Sequence, residues 1–272
     1  MNKELLAIFN DFINIMRSSA GVLGAWNFGS AAHGLMDEYS DIDVVLLVEG
    51  EYFKSTEQGM NALLSGICDE VILCWEEDFN GAAIVNNGYL LKKDGRIFQF
   101  DVFLLNKELI DDFMCKIHYT DLSEKDIIFD KDGSVRALAE SCPHGELWRG
   151  DNDRLIRTYL YHFSMTAKYL LREDYFKLNH VMRVLYDSHV SLLLIKYDRK
   201  KWGGAENKLR FIPEDKKLHL MKYYCTEDYA ADRERLLQCF EWFEEDSDGF
   251  GSINSIAVKE YWFKCTQNIR YY

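Results

Sequence analysis

The sequence predicts an α+β protein in which an N-terminal domain, a mixed β-sheet flanked by helices, precedes an all-α helical bundle domain. Helix and strand patterns alternate in the first half of the chain, whereas from residue 150 onward apolar residues recur at helical spacing. Proline and glycine cluster between the two halves, in the segment ESCPHGELWRGDND (140–153). We therefore predict two domains, residues 1–140 and residues 150–272.

Composition and charge restrict the classes of function. The 272 residues are 48% hydrophobic and 28% charged and include only two prolines, which is typical of a folded globular chain. The net charge of −13 argues against general nucleic-acid binding or an anionic membrane partner and favours a cationic small molecule. Seven cysteines without a CxxC motif, and the lack of any long uncharged apolar stretch, predict a soluble cytoplasmic protein.

The first elements of the N-terminal half follow from periodicity. Apolar residues from Leu5 to Met16 recur at helical spacing, and the run from Val22 to Phe28 predicts a strand that stops at Gly29. The continuous, branched run 42–48 predicts a second strand that is covered on both faces. Residues 55–67 fit a helix.

A hairpin is predicted over YLLKKDGRIFQFDVFLL (89–105). Asp94-Gly95 separates two apolar runs, and this dipeptide tolerates the positive φ angles of a tight hairpin turn. Asp101 falls on the second hairpin strand. The alternative to a functional role is that Asp101 is a surface residue on an edge hairpin. The segment 126–133 predicts one further short strand followed by a turn.

The C-terminal half is predicted to be helical throughout. Apolar faces run from Leu155 to Leu171 and from Leu178 to Leu193, and residues 215–245 and 255–270 supply further helices. Asp187 lies four residues after Arg183, which indicates an intrahelical ion pair, with a cationic substrate as the alternative partner of Asp187.

Two aspartates separated by one residue open the second strand. Residues two apart on a strand point to the same side, so Asp41 and Asp43 present their carboxylates together, opposite Ile42. This repulsion is tolerated most easily when a divalent cation neutralises the pair, and Mg²⁺ prefers such oxygen ligands. Asp101 is a third charge in an apolar strand, and hairpin pairing is expected to bring it beside the first two. Three carboxylates can hold two metals for phosphoryl displacement.

Gly29 and Ser30 predict a phosphate site. A strand that ends in glycine and turns into a helix exposes backbone N–H groups, to which the serine adds a hydroxyl. The turn and the acidic pair therefore fit a single ligand, a metal-bound nucleotide.

This order of motifs resembles the DNA polymerase β-type nucleotidyltransferase superfamily, over roughly residues 20–105. A GS pair, a DxD pair about ten residues later and a lone aspartate on a neighbouring strand carry the resemblance: Gly29, Ser30, Asp41, Asp43 and Asp101. A compact catalytic half followed by a helical half of similar length is most similar to the bacterial nucleotidyltransferases that modify aminoglycoside or lincosamide antibiotics.

The resemblance implies a chemistry for each position. Asp41 and Asp43 are expected to hold Mg²⁺, and Asp101 is either a ligand of the second metal or the general base that takes the proton of the acceptor hydroxyl. Ser30 and the main chain near Gly29 are expected to bind the β- and γ-phosphates of ATP. In-line attack on the α-phosphorus then releases pyrophosphate.

Further nucleotide contacts are predicted outside this core. The segment KKWGGAENKLRFIP (200–213) follows a long helix, as similar lysine-containing segments do in the antibiotic enzymes. Lys208, and less directly Lys201, are candidates for the triphosphate, with Trp202 as a stacking surface. His33 lies in the loop between the two motif halves, where it can approach phosphate.

The leading hypothesis is Mg²⁺-dependent transfer of AMP from ATP to a hydroxyl of a cationic small molecule, with an aminoglycoside or a lincosamide as the expected acceptor. The first alternative is a toxin-like nucleotidyltransferase acting on a protein or a tRNA, with the helical half as the recognition module. The second is a nucleotide-binding module without turnover. A monomer and a homodimer are both compatible with the sequence.

Overall fold

The computed structural model describes residues 3–32, 40–120, 122–141, 152–197, 209–248 and 255–267. The chain divides into two compact units, an N-terminal unit, Met1–Leu147, and a C-terminal unit, Trp148–Tyr272. The predicted fold class is confirmed, because the first unit holds a six-stranded mixed sheet with flanking helices and the described residues of the second form helices and connecting segments. No helix in the described ranges is long and apolar enough to cross a membrane.

The N-terminal unit alternates helices and strands, as predicted. Its elements are α1 (Lys3–Ser18), β1 (Val22–Asn27), α2 (Gly29–Ala32), β2 (Ile42–Val48), α3 (Gly50–Ser65), β3 (Glu70–Glu76), β4 (Ile84–Lys93), β5 (Arg96–Asn106), α4 (Phe113–Tyr119), β6 (Ile127–Asp130) and α5 (Ser134–Ser141), with 3-10 turns at Lys107–Leu109 and Glu124–Asp126. The sequence analysis did not predict β3, α4 and α5. Strand β3 lacks the alternation of apolar and polar residues that identifies a half-buried strand. Most of its side chains are exposed, including the apolar Ile72, Leu73 and Trp75.

The sheet has the strand order β3-β4-β5-β2-β1-β6. Strands β2 and β5 pair in parallel, and every other neighbouring pair is antiparallel. Strand β2 is buried on both faces, as predicted: Val44 and Leu46 pack with residues of α1 and α3, whereas Val45 and Leu47 pack with residues of α4 and α5. Helices thus cover the centre of the sheet from both sides.

The predicted hairpin joins β4 to β5. Asp94 and Gly95 form its turn with φ angles of 51° and 75°, between the paired residues Lys93 and Arg96. However, β5 lies between β4 and β2, so Asp101 lies inside the sheet and the alternative of a residue on an edge hairpin is wrong.

The C-terminal unit consists of helices packed around an aromatic core. They are α6 (Asn152–Leu171), α7 (Tyr175–Lys196), α8 (Glu214–Leu220), α9 (Tyr229–Ser247) and α10 (Ser255–Gln267), with a 3-10 turn at Leu209–Phe211. The Tyr159 ring of α6 stacks on Phe243 of α9 at a centroid distance of 3.5 Å. The predicted intrahelical ion pair is present, with Arg183 Nε 3.0 Å from an Asp187 carboxylate oxygen.

A buried polar network ties α7 to α8 and α9. The Asp246 carboxylate lies 3.1 Å from His189 Nε2, 2.9 Å from Lys216 Nζ and 3.3 Å from Lys196 Nζ. Tyr223 Oη lies 2.8 Å from the other ring nitrogen of His189. Burial alone would raise the pKa of Asp246, but its hydrogen bonds to His189 and Lys216 lower the pKa to about 2.

Candidate active site with an acidic triad

Three aspartates converge at one end of the parallel strand pair. Asp43 lies directly opposite Asp101 in the β2–β5 register, and Asp41 comes immediately before β2. One carboxylate oxygen from each of the three lies within 4.8 Å of the others. The sequence analysis assigned this convergence to hairpin pairing, and that route is wrong. The hairpin joins β5 to β4, and Asp101 reaches Asp43 through the parallel pairing of β5 with β2.

Burial and mutual repulsion disfavour ionisation of the triad. Burial is the largest cause that raises the pKa of Asp43 to about 7, followed by the charges of Asp41 and Asp101. Burial also raises the pKa of Asp101 to about 6, although a hydrogen bond from Gln99 Nε2, 2.9 Å from Asp101 Oδ2, opposes the shift. A divalent cation between the carboxylates would offset both costs, and their oxygens are ligands that suit Mg²⁺.

A glycine turn lies against the same carboxylates. Gly29 follows β1 with a φ of 57°, a backbone conformation that is strained for residues with a Cβ. A Cβ at this position would overlap the side chain of Asp43. The main chain is tied to the same strand, because the Phe28 N–H donates to the Asp43 carbonyl oxygen at 3.0 Å. Only glycine therefore allows the turn to approach the triad this closely.

The hydroxyl of Ser30 is a buried polar group beside the triad. Its Oγ is shielded from solvent and forms no hydrogen bond within the described part of the chain. A buried hydroxyl without a partner costs free energy that a ligand atom can recover. This orphan hydroxyl and the three carboxylates fit a nucleotide phosphate accompanied by a divalent cation.

The N-terminal unit matches a known domain family. Residues 10–129 match the nucleotidyltransferase domain family. All five predicted core positions lie inside the nucleotidyltransferase domain: Gly29, Ser30, Asp41, Asp43 and Asp101. The predicted resemblance to nucleotidyltransferases is therefore confirmed for this part of the chain, whereas the narrower resemblance to antibiotic-modifying enzymes stays a prediction.

Curated proteins and solved structures give two further comparisons. No curated protein matches the sequence. Among solved structures, a nucleotidyltransferase-like protein from Exiguobacterium sibiricum 255-15 is similar over 97% of this chain and 80% of its own, with 8% sequence identity and a TM-score of 0.35.

Four predicted contact residues have no described position. Lys208, Lys201, Trp202 and His33 all lie outside the described ranges. Their proposed contacts with a nucleotide stay predictions. The predicted core residues with described positions are Gly29, Ser30, Asp41, Asp43 and Asp101.

The sequence analysis missed a pocket beside Asp101. The pocket has a volume of about 280 Å³ and is lined by residues of β3, β4 and β5, among them Trp75, Asn86 and Gly88. Gly88 lies opposite Asp101 in the register, and a Cβ added to it would lie 2.8 Å from Asp101 Oδ1. A glycine inside a strand was the available signal, because it often marks a close approach of a ligand or another group.

Proposed function

We propose that this protein is a Mg²⁺-dependent adenylyltransferase that transfers AMP from ATP to a hydroxyl group of a small molecule and releases pyrophosphate. The observation that carries the proposal is the convergence of Asp41, Asp43 and Asp101 within 4.8 Å, inside a domain that matches the nucleotidyltransferase family. The Gly29-Ser30 turn beside the triad supports a triphosphate donor, because it combines a close backbone approach with a hydroxyl that has no partner among the described residues.

Each residue of the site has a role in this proposal. Asp41 and Asp43 hold Mg²⁺, while Ser30 and the main chain at Gly29 bind the β- and γ-phosphates. Bound Mg²⁺ supplies the positive charge that stabilises the reacting phosphate and the departing pyrophosphate. Asp101 either completes the metal site or removes the proton of the acceptor hydroxyl; a pKa of about 6 suits a general base at neutral pH.

The acceptor is proposed to be a cationic small molecule, an aminoglycoside or a lincosamide antibiotic. The net charge of −13 supports this choice, because an acidic protein attracts cations and offers little to a polyanion. We assign acceptor recognition in part to the helical unit, and Lys208 to the triphosphate. The scattered cysteines, which form no CxxC motif, support a reducing, cytoplasmic location.

The first test measures nucleotide binding. Isothermal titration with a non-hydrolysable ATP analogue and Mg²⁺ is expected to show binding by the wild type and a loss of binding in Asp41→Ala and Asp43→Ala. Asp11→Ala, which removes an exposed carboxylate from α1, is the matched control and is expected to bind normally. The proposal is wrong if the wild type does not bind the analogue or if both triad variants bind it undiminished.

The second test identifies the acceptor. Streptomycin, spectinomycin and lincomycin are incubated with the protein, ATP and Mg²⁺, and a mass gain of one AMP on a drug is expected. Expression in a susceptible bacterium is expected to raise tolerance to the drug that is modified. Growth arrest without any modified drug would instead favour a protein or tRNA target.

A further inference from the structure

Four residues form a row across the sheet at the level of the triad. Trp75 pairs with Gly88, Gly88 with Asp101, and Asp101 with Asp43, on the consecutive strands β3, β4, β5 and β2. Paired residues on neighbouring strands point to the same face of a sheet. The indole of Trp75 therefore lies on the face that carries the carboxylates, and a glycine without a side chain separates it from Asp101.

The glycine leaves a gap that the neighbouring side chains turn into a pocket. Its volume of about 280 Å³ is close to the lower limit of roughly 300 Å³ for small-molecule sites. One wall is apolar, formed by Leu73, Leu90 and a Trp75 side chain that is 61% exposed. An exposed indole beside a pocket offers a flat stacking surface for the apolar face of a ring.

A buried asparagine lines the same pocket. Asn86 is only 9% exposed, and its Oδ1 has no hydrogen-bond partner among the described residues. Its backbone is held in place by Asn80, whose Oδ1 accepts from the Asn86 N–H at 2.7 Å and whose Nδ2 donates to the Asn86 carbonyl oxygen at 3.0 Å. A side-chain carbonyl oxygen that lacks a donor is a site for the N–H or O–H group of a ligand.

The remaining polar lining also favours a ligand that donates hydrogen bonds. Glu77 and Asp101 contribute carboxylates, and the Gln99 amide donates to Asp101 Oδ2 at 2.9 Å. The described residues that line the pocket include no lysine, arginine or histidine. The complementary ligand is therefore rich in hydrogen-bond donors and carries a positive charge.

We propose that this pocket, the Trp75–Asn86 pocket, binds the acceptor substrate, and that these two residues determine its selectivity. The ligand is a six-membered ring with one apolar face, which stacks on Trp75, and with ammonium or hydroxyl donors, one of which reaches Asn86 Oδ1. The role as acceptor site rests on the proposed function, because Asp101 of the candidate active site also lines the pocket.

The test measures ring binding without nucleotide. The probes are 2-deoxystreptamine, a cyclohexane ring with two ammonium and three hydroxyl groups, and myo-inositol, a neutral ring of the same size. Calorimetric titration is expected to show binding of 2-deoxystreptamine to the wild type and at least roughly tenfold weaker binding of myo-inositol. The proposal fails if 2-deoxystreptamine does not bind or if the two rings bind equally.

Variants connect the binding to the pocket. Asn86→Leu removes the acceptor atom and is expected to weaken 2-deoxystreptamine binding roughly tenfold or more, whereas Asn86→Asp keeps an acceptor and is expected to retain binding. Trp75→Ala is expected to weaken 2-deoxystreptamine binding roughly tenfold. Ile97→Ala removes a similarly exposed apolar side chain of β5 outside the pocket and serves as the control, with unchanged affinity expected.

The outcomes separate this inference from the proposed function. Unchanged affinity in Asn86→Leu and Trp75→Ala, with thermal unfolding like that of the wild type, would overturn the assignment of the pocket. If Asn86→Leu does not fold, the exposed Trp75 decides the matter alone. Ring binding with the expected variant pattern, together with no binding of the ATP analogue, would support the pocket while removing the proposed enzymatic role.

Discussion

Asp43 and Asp101 face each other in register on the parallel strands β2 and β5, and Asp41 adds a third carboxylate to the pair. Burial comes first among the causes that raise the pKa of Asp43 to about 7 and that of Asp101 to about 6. Burying these mutually repelling carboxylates lowers the stability of the metal-free protein, and a bound cation would offset this loss.

Mg²⁺ binding is expected to depend on pH near neutrality. A proton must leave Asp43 before its carboxylate can bind the metal, so affinity is expected to fall about fivefold from pH 7 to pH 6. Below pH 6 Asp101 also retains a proton, and the dependence is expected to steepen. Calorimetric titrations with Mg²⁺ at constant ionic strength measure this profile, and an affinity that is constant between pH 5 and pH 8 would contradict it.

Neutralising Asp43 is expected to stabilise the metal-free protein. Its folded pKa of about 7 exceeds the ordinary value of 3.8, so the folded state holds a proton that the unfolded state releases between these two pH values. Wild-type stability from this group is thus lost as pH rises through that window. The advantage of Asp43→Asn in free energy of unfolding should grow by about 1 to 3 kcal/mol over the window.

Urea unfolding at pH 4 and at pH 7 measures this difference. The buried His118, whose pKa is lowered to about 4 mainly by burial, contributes equally to both proteins and cancels. Asp11→Asn on the exposed face of α1 is the control, for which no pH-dependent advantage is expected. Saturating Mg²⁺ should stabilise the wild type more than Asp43→Asn. If the difference in free energy of unfolding between the two proteins changes with neither pH nor Mg²⁺, burial of the Asp43 carboxylate does not destabilise the protein.

Three glycine substitutions separate the causes of strain at the turn. Gly29→Ala combines a positive φ with overlap on Asp43, Gly95→Ala has a φ of 75° but open space, and Gly59→Ala lies in α3 with open space. We expect a loss of more than 2 kcal/mol for the first, of about 1 kcal/mol for the second, and a gain of up to about 1 kcal/mol for the third. Chemical denaturation gives all three values, and equal losses at Gly29 and Gly95 would show that Asp43 moves aside freely.

Ser30→Ala is expected to act in opposite directions on stability and on binding. The hydroxyl is buried without a described partner, so its removal should leave stability unchanged or raise it by up to about 1 kcal/mol. Affinity for the ATP analogue with Mg²⁺ should fall roughly tenfold, because the phosphate loses a hydrogen bond. A variant that is less stable but binds normally would assign Ser30 to the packing of the turn.

The network at Asp246 is expected to dominate the stability of the C-terminal unit. Asp246→Ala leaves two lysines and a buried histidine without their carboxylate and should cost about 3 to 5 kcal/mol. Because the folded pKa of about 2 lies below the ordinary 3.8, the contribution of Asp246 is present above pH 4 and lost as pH falls toward 2. Glu241→Ala, which breaks a surface pair with Lys259, should cost less than about 1 kcal/mol in the same denaturation assay.

Local patterns in the sequence determined most of the N-terminal elements and the candidate residues. The positive φ angles at Asp94 and Gly95, the buried run of β2 and the sequential order of the Gly-Ser pair and the aspartates all follow from backbone preferences and side-chain periodicity. These preferences act over a few residues, so they can be recognised from the sequence alone.

Only the tertiary structure decided which strands are neighbours. The parallel pairing that brings Asp101 to Asp43, the row that adds Gly88 and Trp75, and the contacts of Asp246 with α7 and α8 join residues far apart in the chain. Periodicity identifies the face on which a side chain lies but not the strand beside it. Strand order depends on how the whole chain buries its apolar surface, and the positions of the pocket and the buried network depend on that order.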